Sequence, residues 1–324
     1  YLVPYGALAS EIVSDTKARM SFYTLSTFFF VLGSAFIYLT PVFQNLLRAT
    51  GLLELQAWQL TFVVFSLIAG CFAIVPAFTF NEVDFVHSKP SYTPLIESFK
   101  QTFKYRNYTI LAIAYMLMWI AFQFFNTSLL YYITMLIGEP ETFGTVVMGI
   151  AMVIGVLSYP LVNKGVARFS KKAMLVFACA VYVLIYGSIV NYPIMVSLLG
   201  GKVYSILIGL FIGFPISITN IVPSAAFADL AQVDEIKTGE NRAAMFMTAR
   251  SFIHQLSQSL VVILIPTILS IGSTNQKATV FGVELTIIIA TAAIALAMIV
   301  YCFYEDKSTT AQIDAYNAQQ KEVL

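Results

Sequence analysis

The sequence predicts an all-α integral membrane protein that crosses the bilayer many times. Three observations predict it. Eight long apolar segments recur at roughly 20–45, 57–78, 108–137, 144–163, 173–192, 203–228, 243–271 and 282–304, and about 20 apolar residues suffice to span a bilayer as helix. Hydrophobic residues make up 59% of the 324 residues and charged residues only 11%, against about 25% charge in an average soluble domain; mean hydropathy is +0.81. Finally, fourteen of the 18 Lys and Arg residues fall in alternate gaps between the apolar segments.

Each segment is expected to be a helix, because a lone strand in lipid would leave its backbone N–H and C=O groups unpaired. The basic gaps are residues 10–19 (Lys17, Arg19), 79–107 (Lys89, Lys100, Lys104, Arg106), 164–172 (Lys164, Arg168, Lys171, Lys172), 229–242 (Lys237, Arg242) and the tail (Lys307, Lys321). The opposite gaps hold only Arg48, Lys202 and Lys277, and Arg250 lies inside a segment. Lys and Arg bias marks the cytoplasmic side. The expected placement is therefore the cell (inner or plasma) membrane, with the 79–107 loop and the C-terminus in the cytoplasm. Eight crossings return both ends to one face. Tyr1 to Ala9 is an apolar stub that opens in mid-segment, so further helices are expected to precede it.

Four regions follow from these segments. Residues 1–78 hold the stub and two crossings, 79–107 a central loop, 108–304 six crossings, and 305–324 a polar tail expected to be mobile. Within the central loop, Ser91 to Arg106 places Tyr92, Leu95, Ile96, Phe99 and Phe103 on one helical face and Glu97, Lys100, Gln101 and Lys104 on the other. That pattern predicts an amphipathic helix at the membrane surface; a solvated linker helix is the alternative.

Several function classes are disfavoured. A net charge of +1 gives no reason to invoke nucleic acid. Cys71, Cys179 and Cys302 are scattered within apolar segments and make neither a disulfide framework nor a zinc site. No His-Glu-x-x-His and no paired Asp within the apolar segments speak for an intramembrane enzyme.

The loops carry recognisable patterns. The chain opens Pro4-Tyr5-Gly6-Ala7-Leu8, followed by Glu11, Asp15 and Arg19. Farther on, Ala228-Asp229 leads to Asp234-Glu235, Lys237-Thr238-Gly239-Glu240-Asn241-Arg242 and Ser251-Phe252. Between them lies Phe99-Lys100 with Lys104-Tyr105-Arg106-Asn107. In this order and spacing they resemble the loop signatures of the glycoside–pentoside–hexuronide:cation symporters, the melibiose-permease-like family of the major facilitator superfamily. The resemblance registers nearly the whole chain from the end of the family's fourth helix onward. It implies an N-terminally truncated major facilitator fold, lacking the first three helices and most of the fourth, with two bundles joined by the 79–107 loop. It further implies secondary active transport of a sugar or glycoside with Na+ or H+ by alternating access, no other cofactor, no enzyme activity, and a monomer in the lipid bilayer.

Polar residues inside the apolar segments mark the candidate solute site, since such groups are costly in lipid and usually face a cavity. Tyr115, Trp119, Gln123 and Asn126 are spaced 4, 4 and 3 and share one face. An indole beside amides suits a sugar, the ring packing on C–H groups and the amides binding hydroxyls; helix–helix packing is the plainer alternative. Pro215, Ser217, Thr219, Asn220 and Pro223 form a helix-loosening stretch, while Gly209 and Gly213 permit close helix approach. Arg250, His254 and Gln258 recur at four-residue spacing with Gln255 adjacent. Arg250 lies about 12 Å from the start of its helix, near enough to snorkel or reach an acidic partner. His254 is a candidate proton carrier or a fixed interhelical hydrogen bond. Asp15, Arg19, Asp229, Arg242 and Arg250 are candidate gating or coupling residues, because carboxylate–Arg pairs at the basic face can close when dry and open when wet. The plainer role for them is to set topology and cap helices. Gly239 is expected in a tight turn.

This chain departs from the family pattern at three places. Gln255 stands where many relatives have a Lys that contributes to the solute or coupling site. Leu2 stands for an Asp, and Thr27 for a sugar-binding Arg. The resemblance therefore implies altered sugar chemistry, or a solute that is not a galactoside. A transporter of lysolipid-like amphiphiles with the same fold, and a non-transporting sensor, remain open alternatives.

Overall fold

The computed structural model describes residues 16–38, 40–51, 53–79, 102–240, 242–273 and 277–323. Its described elements are all helical: α1 Thr16–Tyr38, α2 Thr40–Ala49, α3 Glu54–Thr79, α4 Arg106–Tyr131, α5 Glu141–Leu157, α6 Tyr159–Phe169, α7 Lys171–Val190, α8 Tyr192–Leu199, α9 Gly201–Thr238, α10 Ala243–Leu269, α11 Val280–Tyr301 and α12 Asp306–Val323. Most of the amphipathic helix expected over Ser91–Arg106 lies outside the described residues, as do the opening Pro-Tyr motif and Asp15.

Among the described residues, six helices are long and apolar enough to cross a membrane: α3, α4 with its π-helical extension Tyr132–Ile137, α7, α9, α10 and α11. The segment expected as a single span over 144–163 is instead a bent pair. Its parts, Phe143–Leu157 and Tyr159–Phe169, meet at 52° and make a seventh crossing if counted together. Pro160 sits in the first turn of α6, where proline is tolerated but cannot donate to the preceding turn. In α1, only Met20–Gly33 forms a short apolar helix among the described residues.

The described chain divides into two compact units, Leu25–Ser88 and the remainder. In the smaller unit α2 packs on α3, with Phe43 edge-on to Phe65 at 5.4 Å. Phe62, Phe72 and Phe78 of α3 are exposed. A helix apolar on its outward face has no penalty in hydrocarbon, where lipid tails match its side chains.

In the larger unit α4 packs against α10 and α11, α11 against α7, α7 against α9, and α9 against α10, closing a ring of five helices. On its outer side α9 carries α5. Close approach there requires glycine. A Cβ at Gly213 would lie 2.6 Å from the Ala151 carbonyl oxygen, and one at Gly209 would lie 2.7 Å from that of Val147. Ser217 completes this seam by donating to the Gly155 carbonyl at 2.6 Å. Small residues at four-residue spacing let backbones meet in this way.

α9 runs unbroken through Pro215 and Pro223 for 38 residues, about ten residues beyond the apolar segment at its C-terminal end. It stops at Gly239, whose φ of 72° is left-handed and suits glycine, as the expected turn requires.

The tail forms a helix where a mobile segment was expected. Around it Tyr304, Asp306, Thr309 and Ile313 are buried. Asn107 binds its start through both faces of the amide, donating to the Glu305 carbonyl at 3.2 Å and accepting from the Glu305 N–H at 2.9 Å. Lys172 donates to the Cys302 carbonyl at 2.6 Å. A polar composition concealed this helix, because few apolar side chains are needed when a segment docks through its first three turns.

Candidate functional site

Three helices of the larger unit bring the intramembrane polar residues together. Tyr115 and Trp119 are one turn apart on α4, so they project from the same face. Arg250, His254 and Gln258 do the same on α10. Their meeting follows from the packing of α4 on α10. The Trp119 and His254 rings stand perpendicular with centroids 4.2 Å apart. Tyr115 lies 6.4 Å from His254 and 6.1 Å from Trp119.

Aromatic packing fixes Tyr115 from behind. It meets Phe227 of α9 edge-on at 5.4 Å, and Tyr108, two helical turns earlier on α4, contacts both Phe227 and Phe246. Tyr115 is therefore buried and held in one orientation. Arg250 reaches across to it, one terminal nitrogen donating to the Tyr115 hydroxyl at 3.3 Å and to the Ser224 hydroxyl of α9 at 3.1 Å. Asn220 lies one turn before Ser224 and shares its face of α9. His254 Nε2 is 3.3 Å from Gln258 Nε2, so the two side chains form a hydrogen-bonded pair along α10.

One donor of this cluster is unmatched. The Arg250 Nε–H is buried without a hydrogen-bond acceptor among the described residues, whereas the buried Trp119 indole N–H has the Tyr115 hydroxyl beside it. Buried donors of this kind are unusual and call for an explanation. The resulting surface combines a flat indole, an imidazole, an amide and a guanidinium, backed by the buried Tyr115 phenol, and is able to pack on a ring and to donate hydrogen bonds.

The other expected site residues lie nearby or apart as follows. Gln123 donates to Thr127 at 3.3 Å along α4, and Asn126 is half-buried on the same helix. Gln255 is exposed, rotated off the face that carries His254. Arg19 is in α1, its side chain outside the described residues.

At the Lys/Arg-rich end of the bundle, Asp229 forms a fully buried ion pair with Lys171, the first residue of α7. Arg242 precedes α10 and pairs with Asp234 at 3.1 Å and with Glu240 at 3.8 Å. Asp306 of α12 completes the charged layer, one carboxylate oxygen accepting from the Lys172 backbone N–H at 3.2 Å. Burial pushes its carboxyl above the ordinary carboxylate range, while Lys171 draws it back down. The same end carries an open cavity of about 650 Å³ whose lining includes Arg168, Lys171, Asp306 and Lys307.

Sequence reasoning missed Ser224, Lys171 and Asp306. Ser224 was within reach, since it follows Asn220 by one helical turn. Lys171 carried no comparable signal, because a lysine at a helix start reads as a topology determinant until its partner, 58 residues away, is placed beside it.

Comparisons with known proteins agree on the architecture. A family model described as MFS/sugar transport protein matches residues 1–307. No curated protein matches the chain. Among solved structures, the fold is similar to that of a bacterial homologue of the iron transporter ferroportin in an outward-facing state. The TM-score is 0.63 at 15% identity, covering 93% of this chain and 68% of that one.

Proposed function

The chain belongs to the MFS/sugar transport protein family and is a multi-pass secondary transporter of the membrane, and from that premise we propose that it moves a sugar or glycoside together with Na+ or H+. The observation that carries this reading is the perpendicular Trp119–His254 pair at 4.2 Å, flanked by Tyr115 and Arg250. The indole offers a flat apolar surface for sugar C–H groups, and the imidazole, amide and hydroxyls around it match sugar hydroxyls.

Access to the site alternates between the two sides of the membrane. The Lys/Arg-rich end faces the cytoplasm, following the bias of positive charge. There the ion pairs of Asp229 with Lys171 and of Arg242 with Asp234 act as an inner gate, strong when dehydrated and weak when wet. His254 is a candidate for the proton if the coupling ion is H+. The iron named for the structural neighbour is not carried over, since a likeness at 15% identity speaks for fold alone. No group of three His, Cys, Asp or Glu side chains among the described residues could hold a metal ion.

Uptake into proteoliposomes across a panel of glycosides, under imposed Na+ or H+ gradients, tests the proposal. At least one glycoside should accumulate only when a gradient is applied. Absence of any sugar flux, with lysolipid uptake in its place, overturns it in favour of an amphiphile transporter.

A further inference from the structure

The open cavity of about 650 Å³ at the Lys/Arg-rich end shares no lining residue with the Trp119–His254 cluster. Two helices wall it with one stripe each. α6 contributes Asn163, Val166 and Ala167, and α12 contributes Lys307, Thr310 and Asp314. Spacings of three and four put each set on one helical face. The charges around the cavity fall into two groups. Lys171 and Asp306 are already engaged: Lys171 pairs with the buried Asp229, and Asp306, itself buried, accepts from the Lys172 backbone N–H at 3.2 Å. Arg168, Lys307 and Asp314 are exposed, and none of them joins an ion pair among the described residues. Arg168 lies over the Phe169 ring at 5.4 Å and has no hydrogen-bond acceptor among the described residues. Single exposed charges are ordinary and are satisfied by water. These three are set apart by converging on one cavity from two helices, with both signs present.

We infer that this cavity binds an aminophosphate, its phosphate held by Arg168 and Lys307 and its ammonium group by Asp314. Arg presents paired N–H donors that match phosphate oxygens, and Lys adds a mobile point charge. The Asn163 amide faces the Thr24 hydroxyl through Oδ1 at 2.8 Å, which leaves its –NH2 group for a phosphate oxygen. Asp314 selects the amine: a phosphate without one would be drawn to the two cations but would leave Asp314 facing an anion. A ligand held at both ends ties the tail helix α12 to α6. Two sources carry this chemistry, the headgroup of an ethanolamine phospholipid and soluble phosphoethanolamine. Basic pockets beside membrane helices are places where lipid headgroups dock.

Equilibrium binding to the purified full chain in detergent tests this with matched probes: short-chain phosphatidylethanolamine against short-chain phosphatidylglycerol, and phosphoethanolamine against glycerol phosphate. The members of each pair share the phosphate and differ in the amine. In at least one pair the amine-bearing member should bind about fivefold or more tightly. A preference confined to the lipid pair identifies a headgroup site, and one present in the soluble pair identifies a free aminophosphate. Replacing both cations, Arg168→Gln with Lys307→Gln, should weaken the preferred probe about tenfold or more. Asp314→Asn should bring the preference near unity by weakening the amine-bearing member alone. All three side chains are exposed, so these variants should fold as the parent does. Failure of all four probes to bind overturns the site. Equal binding within both pairs, or a preference that survives in Asp314→Asn, overturns it as an aminophosphate site. Unchanged affinity in the Arg168→Gln and Lys307→Gln double variant also overturns it. None of these outcomes bears on the sugar reading, because the two sites share no residue.

Discussion

Replacing Trp119 with Ala is expected to lower solute affinity, or the uptake that depends on it, by about 10- to 100-fold, equivalent to about 1.4–2.7 kcal/mol. The indole is the largest flat surface of the cluster and rests edge-on against His254 at 4.2 Å. If the proposed sugar site is right, truncation removes the platform for the solute's ring and the edge-on contact that holds the His254 ring. Trp119→Phe keeps a flat ring but loses the N–H, so it should recover part of the loss. Titration calorimetry on the purified variants separates the outcomes. Unchanged affinity in Trp119→Ala would remove Trp119 from the site.

The second large effect is at the other end of the bundle. Lys171→Met should destabilise the protein by about 3–5 kcal/mol, the cost typical of breaking one side of a buried ion pair. Lys171 and Asp229 are almost wholly shielded from solvent, and the Asp306 carboxyl lies close enough to feel both charges. Loss of the lysine leaves two buried carboxylates without the ammonium between them. The double variant Lys171→Met/Asp229→Leu should recover most of the stability, because removing both charges relieves the desolvation that one alone cannot offset. Thermal unfolding in detergent, read by size exclusion, measures both. A single variant as stable as the parent would mean that the pair is hydrated and contributes little. Should the pair also open during transport, the double variant would keep its fold while losing control of the inner face.

How much of this was legible in the sequence depends on what each feature requires physically. A spanning helix must be apolar over most of the length that crosses the membrane, so α3, α4, α7, α9, α10 and α11 are visible as runs. The bend between α5 and α6 is marked by a single proline, and an apolar run continues through it undisturbed. α12 was hidden because its docking relies on Asn107, Lys172 and a few buried side chains, not on an apolar stripe. Four-residue spacing correctly grouped Tyr115 with Trp119 and Arg250 with His254 on their own helices. It could not say that these two faces meet, since that depends on α4 lying against α10. Nor could it match Lys171 to Asp229, because ion pairs between distant helices leave no local pattern. The glycine seam of α9 on α5 was legible on the α9 side alone, where Gly209 and Gly213 repeat at four residues; the facing carbonyls of Val147 and Ala151 have no sequence signature.

The most direct test of an alternately exposed solute site is chemical accessibility of the polar face. Cysteines placed at Asn220 and His254, in a protein whose Cys71, Cys179 and Cys302 have been replaced by alanine, can be labelled with a membrane-impermeant maleimide in right-side-out and inside-out vesicles. Labelling is predicted from both faces, and a saturating bound glycoside should slow it. Failure of both positions to react from either face would contradict a hydrated site shared between the two compartments.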